Sequence, residues 1–312
     1  MTTPMIDRLI RKARETAHLA QCKAVLKTSP VAPQVDGVVV FSMIGTRVVA
    51  PYLVAAKSFM RALGRGRVVL LDDGSLTPAD KSVLAAHLGD PEIHSIHDVD
   101  TGDTPRGGCW ERLMTLIDLS AHDYVIQLDS DTVTLGSVDE VRTAIEAGRS
   151  FTIVGGTDGE AQGLKTLTDF RRDVYPDGPD ALPDRAHVQT QIEARMDRLP
   201  DPGAHHYIRA CAAFTGFAPG SVSRADAQAF SRAAQAAVGA DIWRQWGSEQ
   251  VASNYLVANT PDPVLLPYAR YYHFWNDGDR SDPGLAHFPG THRYTANSYA
   301  RATAAALDRL RR

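Results

Sequence analysis

An α/β fold with a mainly parallel sheet covered by helices is predicted by three observations. Apolar, strand-like runs alternate with helical segments through the first half of the chain, the pattern of parallel strands joined by helical crossovers. The runs are continuous, as in Val38-Val-Val-Phe41 and Val68-Val-Leu-Leu71, which suits strands covered on both faces. Acidic residues collect where the runs stop, at Asp72-Asp73 and at Asp129-Ser-Asp131, and open parallel sheets bind ligands beyond the carboxyl ends of their strands.

Taken in order, Met5 to Lys27 places Ile6, Leu9, Ile10, Ala13, Ala17, Ala20 and Ala24 at helical spacing among Arg8, Arg11, Lys12, Arg14, Lys23 and Lys27. This is a basic amphipathic arm, which lies either on an anionic membrane surface or against its own domain or a second subunit. Its thin alanine stripe, without large aromatic residues, favours packing. A Ser29–Pro33 linker precedes the Val38 strand, a helix over Val48–Leu63 closed by Gly64 and Gly66, and a strand over Arg67–Asp72. Thr77-Pro78 is a helix start, and that helix runs to about Leu88. Ile93–Ile96 reads as a short strand, and Trp110–Leu119 as a helix leading into the Tyr124–Leu128 strand. Asp158 to His206 is polar and proline-rich, which predicts an irregular lid or a disordered loop. Ala210–Phe217 resumes as a strand, Ser223 caps a helix to Val238, and a further helix over Ile242–Val257 carries Glu249 and Gln250, with Trp243 and Trp246 assigned to the core. The expected organisation is an arm and linker (1–33), one α/β domain (34–297) and a C-terminal helix (298–312).

Composition narrows the function. With 44 % hydrophobic and 22 % charged residues and a formal net charge of -4 over 312 residues, nothing marks a nucleic-acid binder. Cys22, Cys109 and Cys211 are odd in number and far apart, unlike a disulfide framework or a zinc site, and predict reduced thiols. No long apolar run and no signal-peptide pattern is present, so a cytoplasmic protein is expected, with peripheral contact of the arm at residues 5–27 with an inner membrane face as the less favoured alternative to packing.

The chemistry concentrates at Asp129-Ser-Asp131. Residues two apart on a strand share a side, so both carboxylates can face one cation, which relieves their mutual repulsion. Oxygen ligands at such a place suit a divalent ion carrying a diphosphate. Asp72 and Asp73, also at a strand end, read either as nucleotide contacts or as a turn.

In order and spacing these features resemble the nucleotide-sugar glycosyltransferases of the GT-A (Rossmann-like) fold, most closely the retaining glycosyltransferases of family 8. Asp129-Ser-Asp131 is similar to that family's metal-binding Asp-x-Asp, and Arg112 stands where it has a sugar-contacting arginine. Glu249-Gln-Val-Ala-Ser-Asn254 resembles its Asp-Gln-Asp-x-x-Asn segment, and His287-Phe-Pro-Gly290 its C-terminal His-x-x-Gly motif. The resemblance implies Mn2+ or Mg2+ held by Asp129, Asp131 and His287, with Arg112, Asn254, Gly290 and Arg293 on the donor. It also implies Gln250 on the sugar face opposite the leaving group, and Glu249 as nucleophile or hydroxyl acceptor. Three departures stand out: Ser42-Met-Ile-Gly-Thr46 where the family has acidic residues near the base, His292-Arg293 where it has a diphosphate lysine, and Phe214-Thr-Gly216 in the acceptor strand. The expected activity is transfer of a hexose from UDP-glucose or UDP-galactose to a carbohydrate or lipid-linked acceptor, with retention. Two alternatives stand beside it. One is a haloacid-dehalogenase-like phosphatase with Asp129 as nucleophile and Asp131 as acid/base; the other is a non-catalytic sugar-nucleotide-binding scaffold.

Overall fold

The computed structural model of the chain describes residues 4–312, without the side chains of Pro4, Met5, Asp7 and Thr291; the first three residues of the arm lie outside the described residues. It is a mixed α/β structure that divides into two compact units. One comprises Met1–Ser95, Leu128–Arg142 and Pro267–Arg312, the other Ile96–Gln127 and Thr143–Leu266.

In the first unit the strands Val38–Ile44, Arg67–Asp72 and Glu92–Ser95 run parallel, with Phe41 beside Val69 and Leu70 beside Ile93. The first two are buried along nearly their whole length, as their unbroken apolar runs require. Helix ends follow the local chemistry. Gly64 takes the left-handed conformation (φ 77°) that closes Val49–Leu63, and Thr77 and Asp80 cap each other's backbone amides at the start of Pro78–Leu88, a cap stabilising by about 1 kcal/mol. A second sheet was not legible in the sequence: Leu285–His287 pairs in parallel with Tyr271–His273 and antiparallel with Thr132–Thr134. Strands of three residues are too short to show a period.

The arm divides in two. Its helix spans Pro4–Cys22 and tightens into a 3-10 turn over Lys23–Lys27. Cys22 and Val25 are fully buried, and His18 Nε2 lies 2.9 Å from Thr303 Oγ1 of the last helix, Ser298–Leu310. The first turns do not pack in this way, and Ile6, Leu9 and Ile10 are 46, 63 and 41 % exposed. Among the described residues no helix is long and apolar enough to cross a membrane.

In the second unit the strand order is Val264–Leu266, Phe151–Val154, Ala210–Phe217, Tyr124–Leu128, the first pair parallel and the second antiparallel. Two expectations need correction here. The helix expected over Ile242–Val257 is two, Ala240–Trp243 and Ser248–Ala258. Gly247 interrupts it at φ 102°, where a Cβ would stand 2.4 Å from the His187 ring. The break leaves Trp243 buried, donating to Ser231 Oγ at 2.9 Å, but throws Trp246 off that face to 72 % exposure. The segment expected to be irregular also folds. It holds the helices Thr157–Gln162, Leu167–Val174 and Val188–Glu193 and a short ladder between Lys165–Thr166 and His206–Tyr207. Leu167 and Phe170, and Val188 and Ile192, are its buried anchors.

Gly216 has a packing reason. It lies opposite Phe151, whose ring a Cβ would approach to 2.3 Å, and that ring is already set between Tyr124 and Phe214. Gly216→Ala should therefore lower stability by about 1–3 kcal/mol through overpacking, read as a drop in the urea midpoint without a change in slope.

Candidate functional site

In the first unit, backbone pairing brings the expected metal ligands together. The Leu128 carbonyl, just before Asp129, accepts from Ser42 Oγ at 2.6 Å, which gives a role to one residue of the departing Ser42–Thr46 stretch. Thr132 then turns back on Asp129, its Oγ1 donating to the Asp129 carbonyl at 2.8 Å. Thr132 sits opposite His287 in the antiparallel ladder, and Phe288 N donates to the Asp131 carbonyl at 2.9 Å. His287 Nε2 consequently stands 3.3 Å from Asp131 Oδ1. One ligand atom from each of Asp129, Asp131 and His287 lies within 4.8 Å of the others, matching donors that share one divalent ion, which are up to about 4–5 Å apart.

Asp131 is 9 % exposed. Burial works to raise its carboxyl, but the facing His287 imidazole and the Arg293 guanidinium outweigh it and hold it well below the usual carboxylate range. Arg293 Nη2 pairs with Asp131 Oδ2, and its Nε donates to the Phe288 carbonyl at 2.9 Å. Gly290 accepts from Arg11 of the arm at 3.0 Å through its carbonyl. Sequence reasoning assigned His273 only to packing or a pocket rim. It is the parallel-register partner of His287, and the two Nδ1 atoms are 2.7 Å apart. One ring must donate there and the other accept, which ties the orientation of His287 to its neighbour. The donor set of two carboxylates and an imidazole braced by a second histidine fits a divalent transition ion.

Asp72 and Asp73 serve a turn. Asp72 accepts from the amides of Gly74 (2.9 Å) and Leu76 (3.1 Å) and pairs with Lys81 at 2.9 Å. Asp73 accepts from the amide and hydroxyl of Ser75.

The second unit holds the other residues. Arg112, on the helix Trp110–Ser120, is buried and donates through Nη2 to Glu249 Oε2 at 3.0 Å; Glu249 is only 2 % exposed. Trp110 Nε1, donating to Ser248 Oγ at 2.9 Å, holds the two helices in this register. Gln250 Nε2 donates to Gln189 Oε1 at 3.1 Å. Asn254 is structurally committed, its Nδ2 donating to the Ala210 carbonyl at 3.0 Å and to Tyr207 Oη at 3.3 Å. Gln189, Glu193 and Tyr207, all near this cluster, escaped the sequence reading because their segment looked irregular.

If the cluster holds Mn2+, Asp131→Asn should weaken that binding strongly and His273→Ala by about 10–100-fold, as expected for a residue that orients a ligand; calorimetric titration of Mn2+ into each variant reads both. Arg112→Met should destabilise the fold by about 3–5 kcal/mol because it strands a buried carboxylate, and adding Glu249→Met should recover most of that loss. Chemical denaturation of the two variants decides it.

No protein-family model matches the chain, and no curated protein resembles it in sequence. Solved structures do resemble it. The apo structure of the WbbM bifunctional glycosyltransferase is 14 % identical and overlays 88 % of this chain at a TM-score of 0.52; the chain spans about half, 51 %, of that protein. The galactosyltransferase LgtC, in complex with donor and acceptor sugar analogues, is 15 % identical over 86 % of this chain and 95 % of its own, at a TM-score of 0.46. The core-mannan synthase A of Aspergillus fumigatus in its Mn/GDP form is 10 % identical over 92 % and 89 %, at 0.45. At such identities the likeness is one of architecture, and the chain has the α/β fold of the GT-A glycosyltransferases.

Proposed function

We propose that the chain is a metal-dependent glycosyltransferase that moves a hexose from a nucleoside-diphosphate sugar, UDP-glucose or UDP-galactose by resemblance, to a carbohydrate or lipid-linked acceptor with retention. The observation that carries this reading is the cluster of Asp129, Asp131 and His287, with ligand atoms within 4.8 Å of one another at the end of a strand in a chain of this fold. These residues would hold Mn2+ or Mg2+, which when bound stabilises the charge that grows on a departing diphosphate. Arg293 adds a guanidinium able to make paired hydrogen bonds with phosphate oxygens.

In the second unit, Arg112 and Glu249 act together on sugar hydroxyls. The ion pair between them favours Glu249 as a hydroxyl acceptor over Glu249 as a nucleophile, since a carboxylate held by a guanidinium is a weaker attacking group. Gln250 is neutral, and its carboxamide oxygen supports the positive charge of an oxocarbenium-like transition state. The departing phosphate oxygen then takes the acceptor's proton, which delivers the acceptor to the face the phosphate leaves. The exposed first turns of the arm, with Leu9 and Ile10 beside Arg8, Arg11 and Lys12, support a peripheral contact with an anionic membrane surface. The phosphatase alternative calls for a lysine and a second acidic pair beside Asp129 and Asp131; the side chains set on Asp131 are instead His287 and Arg293.

Calorimetric titration of UDP, GDP and dTDP, with Mn2+ and then with chelator, tests the reading. One nucleotide should bind only with the metal, and chelator-insensitive binding or silence with all three would sink it. Gln250→Ala should slow nucleotide-sugar cleavage by about 10²-fold or more while leaving donor affinity nearly unchanged. Wild-type protein that binds the donor without turning it over would point to the scaffold.

A further inference from the structure

Glu193 is fully buried at the centre of a hydrogen-bond network that sequence reasoning did not find. Its carboxylate pairs with the Arg209 guanidinium, which is itself set over the Phe170 and Tyr175 rings at 5.7 Å from each centroid. It also accepts from Tyr175 Oη at 2.7 Å, Tyr207 Oη at 3.0 Å and Gln189 Nε2 at 2.9 Å. Burial, and then the charge of Glu193, push both phenols above their ordinary range, so both keep their protons and donate.

The direction of every bond in this network is set by one fact: an ionised carboxylate has only acceptors. Gln189 must turn its NH2 toward Glu193. The other end of that amide, Oε1, then faces Gln250 and can only accept, so Gln250 must present Nε2, as it does at 3.1 Å. A carboxamide is nearly symmetric in shape, and without such a constraint its oxygen and nitrogen exchange places at little cost. Held this way, Gln250 uses its nitrogen on the protein and keeps its oxygen for another partner.

We propose that Glu193, acting through Gln189, is a positioning residue that fixes the orientation of the Gln250 carboxamide and so presents oxygen rather than nitrogen to the electron-poor centre of the donor sugar. This rests on the role given to Gln250 above. A flipped amide would point N–H donors at a centre that gains positive charge, the wrong polarity for stabilisation. Asn254 is set by the same logic, since Tyr207 Oη spends its proton on Glu193 and takes a hydrogen bond from Asn254 Nδ2.

Gln189→Leu is the decisive variant, because Gln189 is half-buried whereas removal of Glu193 would strand Arg209; Gln189→Ala serves if the leucine disturbs packing. In protein labelled with 15N-glutamine, the Gln250 side-chain resonance is identified by its loss in Gln250→Ala. Gln189→Leu should shift that resonance and speed exchange of its protons roughly tenfold, the weight of about one hydrogen bond. With UDP-glucose and Mn2+, release of UDP should slow by about tenfold in kcat with KM unchanged, and Gln189→Leu should cost nothing further in the Gln250→Ala background. An unmoved Gln250 resonance, or a loss that recurs in full in that background, overturns the relay. Wild-type UDP release by Gln250→Ala would instead overturn the role assigned to Gln250 and leave the resonance to judge the relay.

Discussion

A carboxylate removed from water must be neutralised, and the first unit is organised around how that is done for Asp131. Desolvation of an unpaired charge costs several kcal/mol even after relaxation, more than one strand pairing can supply. The pairing of Thr132–Thr134 with Leu285–His287 therefore does more than add a ladder: it delivers an imidazole to one carboxylate oxygen, and the turn beyond it delivers a guanidinium to the other. Segments about 155 positions apart in the chain meet because of that electrostatic need as much as through their apolar residues.

The second unit meets the same demand differently. Glu249 is answered by one arginine across two helices, whereas Glu193 is answered by an arginine, two phenols and an amide. The first is an ion pair that bridges two helices. The second is a directional network, in which donor and acceptor roles propagate outward from a single ionised group.

What the sequence made legible follows from where its signals are local. The strands Val38–Ile44 and Arg67–Asp72 are built on the apolar runs Val38–Phe41 and Val68–Leu71, and Thr77 and Ser223 cap helices through residues three positions away, so both could be read from a window of a few residues. That Asp129 and Asp131 stand together was legible from the strand leading into them, and that His287 joins them from a resemblance of short motifs. His273 was not, because its tie to His287 comes from the register of two three-residue strands. Trp246 was misread because one glycine with positive φ changes which side of a helical pattern faces inward. Glu193 was invisible for a different reason: a buried acid in a polar, proline-rich segment looks like every exposed acid until its partners are assembled around it.

Arg293 is paired with Asp131, and on the proposed reading that pairing couples two ligands. A cation bound there would compete with that guanidinium, whereas a diphosphate bound with it would offer the guanidinium a substitute anion. Cation and nucleotide would then be linked ligands, each raising the apparent affinity of the other by the same factor.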